Sequence, residues 1–76
     1  MSATAERNSS TIELVVNGQA MAAPPGTLAR LIDELGYTGQ KVATAVNGEF
    51  VPARARAETS LHAGDRVEIV APRQGG

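Results

Sequence analysis

Two Asn-Gly dipeptides, at residues 17–18 and 47–48, constrain the fold more than any other feature of the sequence. Each follows a short run of residues typical of strands. In that setting Asn-Gly is the strongest short signal for a β-hairpin, because both central positions of a type I′ turn need positive φ. We therefore predict a first hairpin over residues 11–23 and a second over residues 42–51.

A short amphipathic helix is predicted between the two hairpins. Thr27 is placed to cap its N-terminus, and Gly36 accepts the left-handed conformation that ends a helix. The apolar residues at positions i, i+3, i+4 and i+7 are Leu28, Leu31, Ile32 and Leu35. Because a helix this short is marginal alone, we expect this stripe to pack against a sheet.

The last predicted strand completes the fold. Residues 53–63 have no clear period and are interpreted as a connection pinned to the core by Leu61, whereas residues 66–70 alternate as a strand does before Pro72 ends it. Two hairpins, one helix between them and a last strand free to insert between the hairpins predict an α+β fold of the β-grasp type. We expect a mixed sheet of four to five strands, with one helix on one face, over residues 11–72.

Composition excludes several classes of function. The chain has 76 residues, a formal net charge of -1, no cysteine and one histidine, His62. This excludes thiol catalysis, disulfides and the usual imidazole clusters, so we predict neither a catalytic residue nor a metal site. Near-neutral charge and only two aromatic residues also argue against binding to nucleic acid.

We expect no secretory signal in the N-terminal segment. Residues 1–10 are small and polar, lack the apolar stretch of a secretory signal, and are predicted to be a disordered extension. No run approaches the roughly 20 apolar residues of a membrane span. We therefore expect a cytoplasmic protein that does not bind membranes.

The end of the chain is the candidate site. Arg73, Gln74, Gly75 and Gly76 are interpreted as a flexible tail that reaches about 13 Å when extended. Two glycines add no side-chain width, which suits insertion into a narrow cleft. The reactive group is then the main-chain carboxylate of Gly76, which a partner enzyme activates with ATP. The residues alone are equally compatible with a frayed end.

A family resemblance is carried by four segments of the second half of the chain, Val46-Asn47-Gly48-Glu49-Phe50-Val51-Pro52, Ala57-Glu58-Thr59, Gly64-Asp65-Arg66-Val67-Glu68-Ile69-Val70-Ala71-Pro72 and Gly75-Gly76. These segments closely resemble the ThiS family of ubiquitin-like sulfur carriers in thiamine biosynthesis. The similarity is sharp from Thr44 to Gly76 and extends only to the pattern of residues from Thr11 to Gly36.

The resemblance implies a carrier that partner enzymes act on, rather than an enzyme. It implies that a ThiF-type enzyme adenylates the Gly76 carboxylate with ATP, and that sulfur relayed from a cysteine desulfurase converts it to a thiocarboxylate. A ThiG-type thiazole synthase then receives the sulfur to form thiazole. No bound cofactor is implied.

Partner docking is predicted on the sheet face opposite the helix. Val15 and Val70 point to that face and lie together if the first and last strands are neighbours, with Arg66 nearby; single exposed valines are otherwise normal. Arg54, Arg56 and Arg66 are interpreted as solvated surface charges more readily than as a basic rim.

Two other functions stay open on the residues alone. The small subunit of molybdopterin synthase, MoaD, has the same fold and ending, although its tail usually runs through paired prolines and a hydrophobic residue. A non-reactive β-grasp interaction domain of the TGS type is the other alternative, and such a domain needs no free diglycine.

Overall fold

The computed structural model describes residues 11–71, so the N-terminal segment 1–10 and Pro72 lie outside the described range. The five strands are β1 (Ile12–Val16), β2 (Gln19–Ala23), β3 (Ala43–Val46), β4 (Glu49–Val51) and β5 (Arg66–Val70). Helix α1 (Leu28–Glu34) joins β2 to β3, and a 3₁₀ helix (Ala53–Glu58) lies between β4 and β5. Each predicted strand is present within one residue of its expected bounds.

Both hairpin turns have the predicted backbone conformation. Asn17 and Gly18 have φ values of 51° and 84°, and Asn47 and Gly48 have φ values of 52° and 85°. Positive φ at two successive positions matches the twist of a type I′ turn to that of the flanking strands. The turns therefore hold β1 against β2 and β3 against β4 in antiparallel register.

Helix α1 begins and ends as its sequence predicts. The Thr27 hydroxyl accepts a hydrogen bond from the backbone N–H of Arg30 at 3.3 Å, and Gly36 follows the helix with φ of 92°. The buried side of the helix consists of Leu28, Leu31 and Ile32. A seven-residue helix is therefore held mainly by packing on the sheet.

The order of strands in the sheet is β2-β1-β5-β3-β4. Strand β5 pairs in parallel with β1 and antiparallel with β3, so the last strand inserts between the two hairpins. Together with α1 on one face, this mixed five-stranded sheet confirms the predicted β-grasp fold.

The core lies between α1 and one face of the sheet. It contains ten buried apolar residues, Leu14, Val16, Ala23, Leu28, Leu31, Ile32, Val51, Leu61, Val67 and Ile69. Leu61 is buried as predicted and anchors the connection before β5. Val67 is fully buried, whereas Val70 on the same strand is 61% exposed, so β5 alternates as a half-buried strand does.

The connection between β4 and β5 differs from the sequence-based expectation in two respects. Its first half forms the 3₁₀ helix, and Arg56 turns inward instead of extending into solvent. Nε of Arg56 donates to the hydroxyl of Thr44 at 2.9 Å, and Nη2 of Arg56 donates to the carbonyl of Val42 at 2.6 Å. The interpretation of Arg56 as a solvated charge was therefore wrong, because these bonds tie the 3₁₀ helix to β3.

Val67 and Val70, the buried and the exposed valine of β5, allow a matched test of the core. Replacing Val67 with Ala removes two buried methyl groups, so we expect the free energy of unfolding to fall by about 2 kcal/mol. Val70→Ala deletes the same atoms from an exposed site and is expected to change it by less than about 0.5 kcal/mol. Urea denaturation followed by circular dichroism measures both, and equal losses would contradict this assignment of the core.

Candidate functional site

The predicted working residues Arg73, Gln74, Gly75 and Gly76 lie outside the described residues. The described range ends at Ala71, one residue after β5. Because β5 is the central strand of the sheet, the segment that follows it begins from the middle of the domain and not from an edge. The site is therefore defined here by the residues around the end of β5.

The end of β5 is held on both sides. On the β3 side, Val70 pairs with Ala43 and Ile69 pairs with Thr44. On the β1 side, the side chain of Asn17 hydrogen-bonds to the backbone of Ile69, although β1 itself has already ended. The strand is thus anchored up to its last residues.

The sheet face opposite α1 is rich in small apolar side chains. Strand alternation places ten residues on this face, which are Glu13, Val15, Ala20, Ala22, Ala43, Ala45, Phe50, Arg66, Glu68 and Val70. Three of them are charged. A face of this composition fits a docking surface better than a fully solvated sheet face, which carries more polar residues.

The register separates Val15 from Val70. Strands β1 and β5 are neighbours, as the prediction required, but Val15 lies opposite Arg66 and Val70 lies opposite Ala43 on β3. Four residues separate Arg66 from Val70, which is about 13 Å along a strand. The expectation that the two valines lie together was therefore wrong, while Arg66 does lie beside Val15. A role for these residues in docking stays a prediction.

Phe50 is a second large apolar side chain on the sheet face of Val70, with β3 between the two residues. Phe50 pairs with Ala45 on β3, and Ala45 pairs on its other side with Glu68 of β5. Ala43, two residues earlier than Ala45 on the same face, pairs with Val70. Phe50 is 69% exposed and Val70 is 61% exposed. We call Ala43, Ala45, Phe50 and Val70 the Phe50 patch. It reaches the last residue of β5 and so adjoins the start of the C-terminal segment.

A local signal for Phe50 was present in the sequence. The Asn47-Gly48 turn fixes the register of β4, and the apolar residue next to Pro52 is Val51, which is buried. Alternation then places Phe50 on the opposite face from the core. Its partner Ala45 and the continuity with Val70 depend on pairing between strands, so the patch itself was not visible locally.

Other surface features lie away from the end of β5. A pocket of about 530 Å³ has Asn47, Glu49, His62 and Asp65 among its lining residues. These residues lie near the beginning of β5. Within residues 11–71, no group of three or more His, Cys, Asp and Glu side chains is placed to hold a metal ion. In the same range no helix is long and apolar enough to cross a membrane.

Asp65, directly before β5, has a pKa below its ordinary value. Nδ2 of Asn47 donates to its carboxylate at 3.0 Å, and the backbone N–H of His62 donates at 2.8 Å. These two hydrogen bonds, with a smaller contribution from the charge of His62, lower the pKa of Asp65 against the opposing effect of burial. The carboxylate thereby stabilises the turn that leads into β5.

Comparison with known proteins identifies the family. The fold and the apolar face beside the end of β5 define a β-grasp domain of the ubiquitin-like type. The sequence model of the ThiS family matches residues 7–76, nearly the whole chain. The chain belongs to the ThiS family.

The proteins similar to this chain include a ThiS protein of known structure and a thiazole synthase. The crystal structure of the thiamine biosynthesis protein ThiS from Geobacter metallireducens has a TM-score of 0.72 and 28% sequence identity, with 86% of this chain and 100% of that chain covered. A thiazole synthase of Paramagnetospirillum magneticum is 38% identical over 66 residues, which are 86% of this chain and 20% of that protein. The chain thus spans about a fifth of the length of this curated relative.

The lowered pKa of Asp65 makes stability depend on pH in a defined direction. A carboxyl whose pKa is depressed in the folded state contributes stability above its unfolded pKa of about 3.9. That contribution is lost as the pH falls from this value through the folded pKa. Asp65→Asn should therefore be less stable than the parent at neutral pH and should lose less stability on acidification.

Chemical denaturation at a series of pH values measures this difference. Glu58→Gln is the control, since it removes the same charge from an exposed position outside the turn. Equal acid sensitivity of Asp65→Asn and the parent would contradict the stabilising role of the Asp65 carboxylate.

Proposed function

We propose that this chain is a sulfur carrier of thiamine biosynthesis, a protein co-substrate rather than an enzyme. The observation that carries the proposal is the match to the ThiS family over residues 7–76, which includes the final Gly75-Gly76. The likeness to a ThiS protein at 28% identity, over the whole length of that protein, supports it. The reaction takes place in the cytoplasm, where ATP is available.

The chemistry follows from the poor electrophilicity of a carboxylate. A carboxylate oxygen of Gly76 attacks the α-phosphorus of ATP in a partner enzyme of the ThiF type, and pyrophosphate leaves. The terminal sulfur of a persulfide, supplied by a donor such as a cysteine desulfurase, then attacks the acyl carbon and displaces AMP, which forms an acyl disulfide. A thiol cleaves this disulfide reductively, so that a C-terminal thiocarboxylate remains and the thiol is oxidised to a disulfide with the donor sulfur. The carrier itself binds no cofactor during these reactions, because the partner enzyme holds the ATP.

A thiazole synthase of the ThiG type is the proposed acceptor of the sulfur. A segment similar to this chain makes up 20% of a thiazole synthase of Paramagnetospirillum magneticum. A protein that contains both a segment like this one and a thiazole synthase supports a functional link between the two. Arg73, Gln74 and Gly75 then form the part of the tail that enters the partner cleft.

The Phe50 patch is the proposed docking surface for the activating enzyme. Its residues are apolar, its two large side chains Phe50 and Val70 are exposed, and Val70 is the last residue of β5. A partner that covers this patch lies next to the point where the C-terminal segment begins. Docking there delivers Gly76 to an active site within about 13 to 18 Å, the reach of four or five extended residues. Arg66 and Val15 lie further along the same sheet face, beyond Glu68.

Intact-mass spectrometry tests the proposed chemistry. Incubation of the chain with a ThiF-type enzyme, ATP and a sulfur source should replace one oxygen atom by sulfur, and the mass change should map to the last peptide. Adding a residue after Gly76 should abolish the change, because the modified carboxylate is then no longer that of glycine.

The same preparation separates the proposed function from its alternatives. Co-elution with a ThiG-type thiazole synthase is expected. Co-elution with the large subunit of molybdopterin synthase instead would assign the chain to molybdopterin synthesis. Full partner binding by a chain that lacks Gly76, with no mass change in the parent, would indicate a non-reactive interaction domain.

Substitutions in the Phe50 patch test docking. Phe50→Asp and Val70→Asp each place a charge in the proposed apolar interface, so the KM for the carrier in the adenylation reaction should rise by at least about tenfold. Ala57→Asp adds the same charge on the 3₁₀ helix and should leave the KM unchanged. All variants should keep the parent circular dichroism spectrum.

Val15→Asp, measured in the same assay, shows whether the interface extends to β1, where Val15 lies opposite Arg66. A raised KM would indicate that it does. Parent values of KM for both Phe50→Asp and Val70→Asp would contradict docking through this patch.

A further inference from the structure

The asparagines that begin the two hairpin turns both reach across to β5. Asn17 and Asn47 occupy the same position in their Asn-Gly turns and have nearly equal φ values of 51° and 52°. Each uses its own backbone N–H and both polar atoms of its side chain to bind β5 or the residue that precedes it. The two residues differ in which end of the strand they hold.

Asn17 holds the end of β5 that leads to the C-terminal segment. Its backbone N–H donates to the carbonyl of Val67 at 2.9 Å. Its Oδ1 accepts from the N–H of Ile69 at 2.8 Å, and its Nδ2 donates to the carbonyl of Ile69 at 3.2 Å. A backbone N–H can only donate and a carbonyl can only accept, so one side chain satisfies both groups only if it offers an acceptor and a donor, as the amide of Asn17 does.

Asn17 thereby makes the hydrogen bonds to β5 that a longer strand β1 would make. The chain ends its strand at Val16 and turns away into the hairpin, so β1 provides no backbone partner for Ile69. Without the amide of Asn17, the last part of β5 keeps its pairing with β3 through Thr44 and Ala43 and loses the bonds on its other side. Strand ends held on one side only open with little free energy.

Asn47 holds the opposite end of the same strand. Its backbone N–H donates to the carbonyl of Arg66 at 2.7 Å, and its Oδ1 accepts from the N–H of Arg66 at 2.9 Å. Its Nδ2 donates to the carboxylate of Asp65 at 3.0 Å. Asn47 is therefore an internal control, since its backbone N–H and Oδ1 bind β5 as those of Asn17 do, but where β5 begins; only its Nδ2 differs, because it binds a side chain.

We propose that Asn17 is a positioning residue for the C-terminal segment: by binding both polar backbone groups of Ile69, it fixes the place where that segment leaves the sheet. This inference rests on the proposed function of the segment as the carrier tail. Without the side-chain bonds of Asn17, the residues from Ile69 to Ala71 must also become ordered when the partner docks. The added cost appears when the partner binds the carrier, because ordering additional residues reduces affinity.

Asn17→Gly and Asn47→Gly form a matched pair for the test. Glycine accepts positive φ without strain, so each variant deletes the side-chain bonds and leaves the turn intact. Both variants gain the same backbone freedom in the unfolded state. Amide hydrogen exchange is expected to accelerate at Ile69 in Asn17→Gly and at Arg66 in Asn47→Gly.

The decisive readouts are the motion of the strand end and the kinetics of activation. In Asn17→Gly the backbone order parameters of Val70 and Ala71 should fall. The KM for the carrier with an ATP-dependent activating enzyme should rise about three- to tenfold with kcat nearly unchanged, since the activated group is untouched. Asn47→Gly should keep the order parameters of Val70 and Ala71 and change the KM by less than about twofold.

An Asn17→Asp variant adds an independent check. The carboxylate still accepts from the N–H of Ile69 but offers no donor to its carbonyl, so its effect on KM should be at least as large as that of Asn17→Gly. Unchanged order parameters in Asn17→Gly, or equal KM shifts for Asn17→Gly and Asn47→Gly, would overturn the positioning role. A parent chain that the activating enzyme does not adenylate would overturn the proposed function, and the order parameters would then decide the role of Asn17.

Discussion

The insertion of β5 between the two hairpins is the interaction on which the rest of the structure depends. Neither hairpin contacts the other through strand pairing except by way of β5, which is parallel to β1 and antiparallel to β3. Val67 and Ile69, both almost fully buried, contribute two of the few large apolar side chains that this chain has. In a domain this small, where folding gains and chain entropy nearly cancel, such a strand is indispensable.

This central position also determines where the C-terminal segment begins. Because β5 lies in the middle of the sheet, the C-terminal segment begins beside the exposed face that carries Phe50 and Val70. The proposed carrier function needs little else from the globule, since the reacting group is a main-chain carboxylate and the catalysts are partner enzymes. The lack of cysteine and the single histidine agree with this division of labour.

The two asparagines show how one residue serves both local and long-range structure in a small domain. Asn17 and Asn47 provide the positive φ of a tight turn, and their side chains complete the hydrogen bonding of β5 from opposite ends. Thr44, near the 3₁₀ helix, likewise uses one side chain to connect several elements. The buried hydroxyl of Thr44 donates to the carbonyl of Val51 and accepts from Arg56, so one side chain joins β3, β4 and the 3₁₀ helix.

The two hairpins, the cap of α1 by Thr27 and the alternation of β5 were predictable from the sequence, because turn chemistry, capping and periodicity are local. The role of Gly76 stays a prediction. The inward course of Arg56, the separation of Val15 from Val70 and the arrangement of Phe50 and Val70 on either side of β3 became visible only in the folded chain. These depend on the register between strands that are distant in the chain. That register is set by the packing of the whole core, which no short segment of the sequence contains.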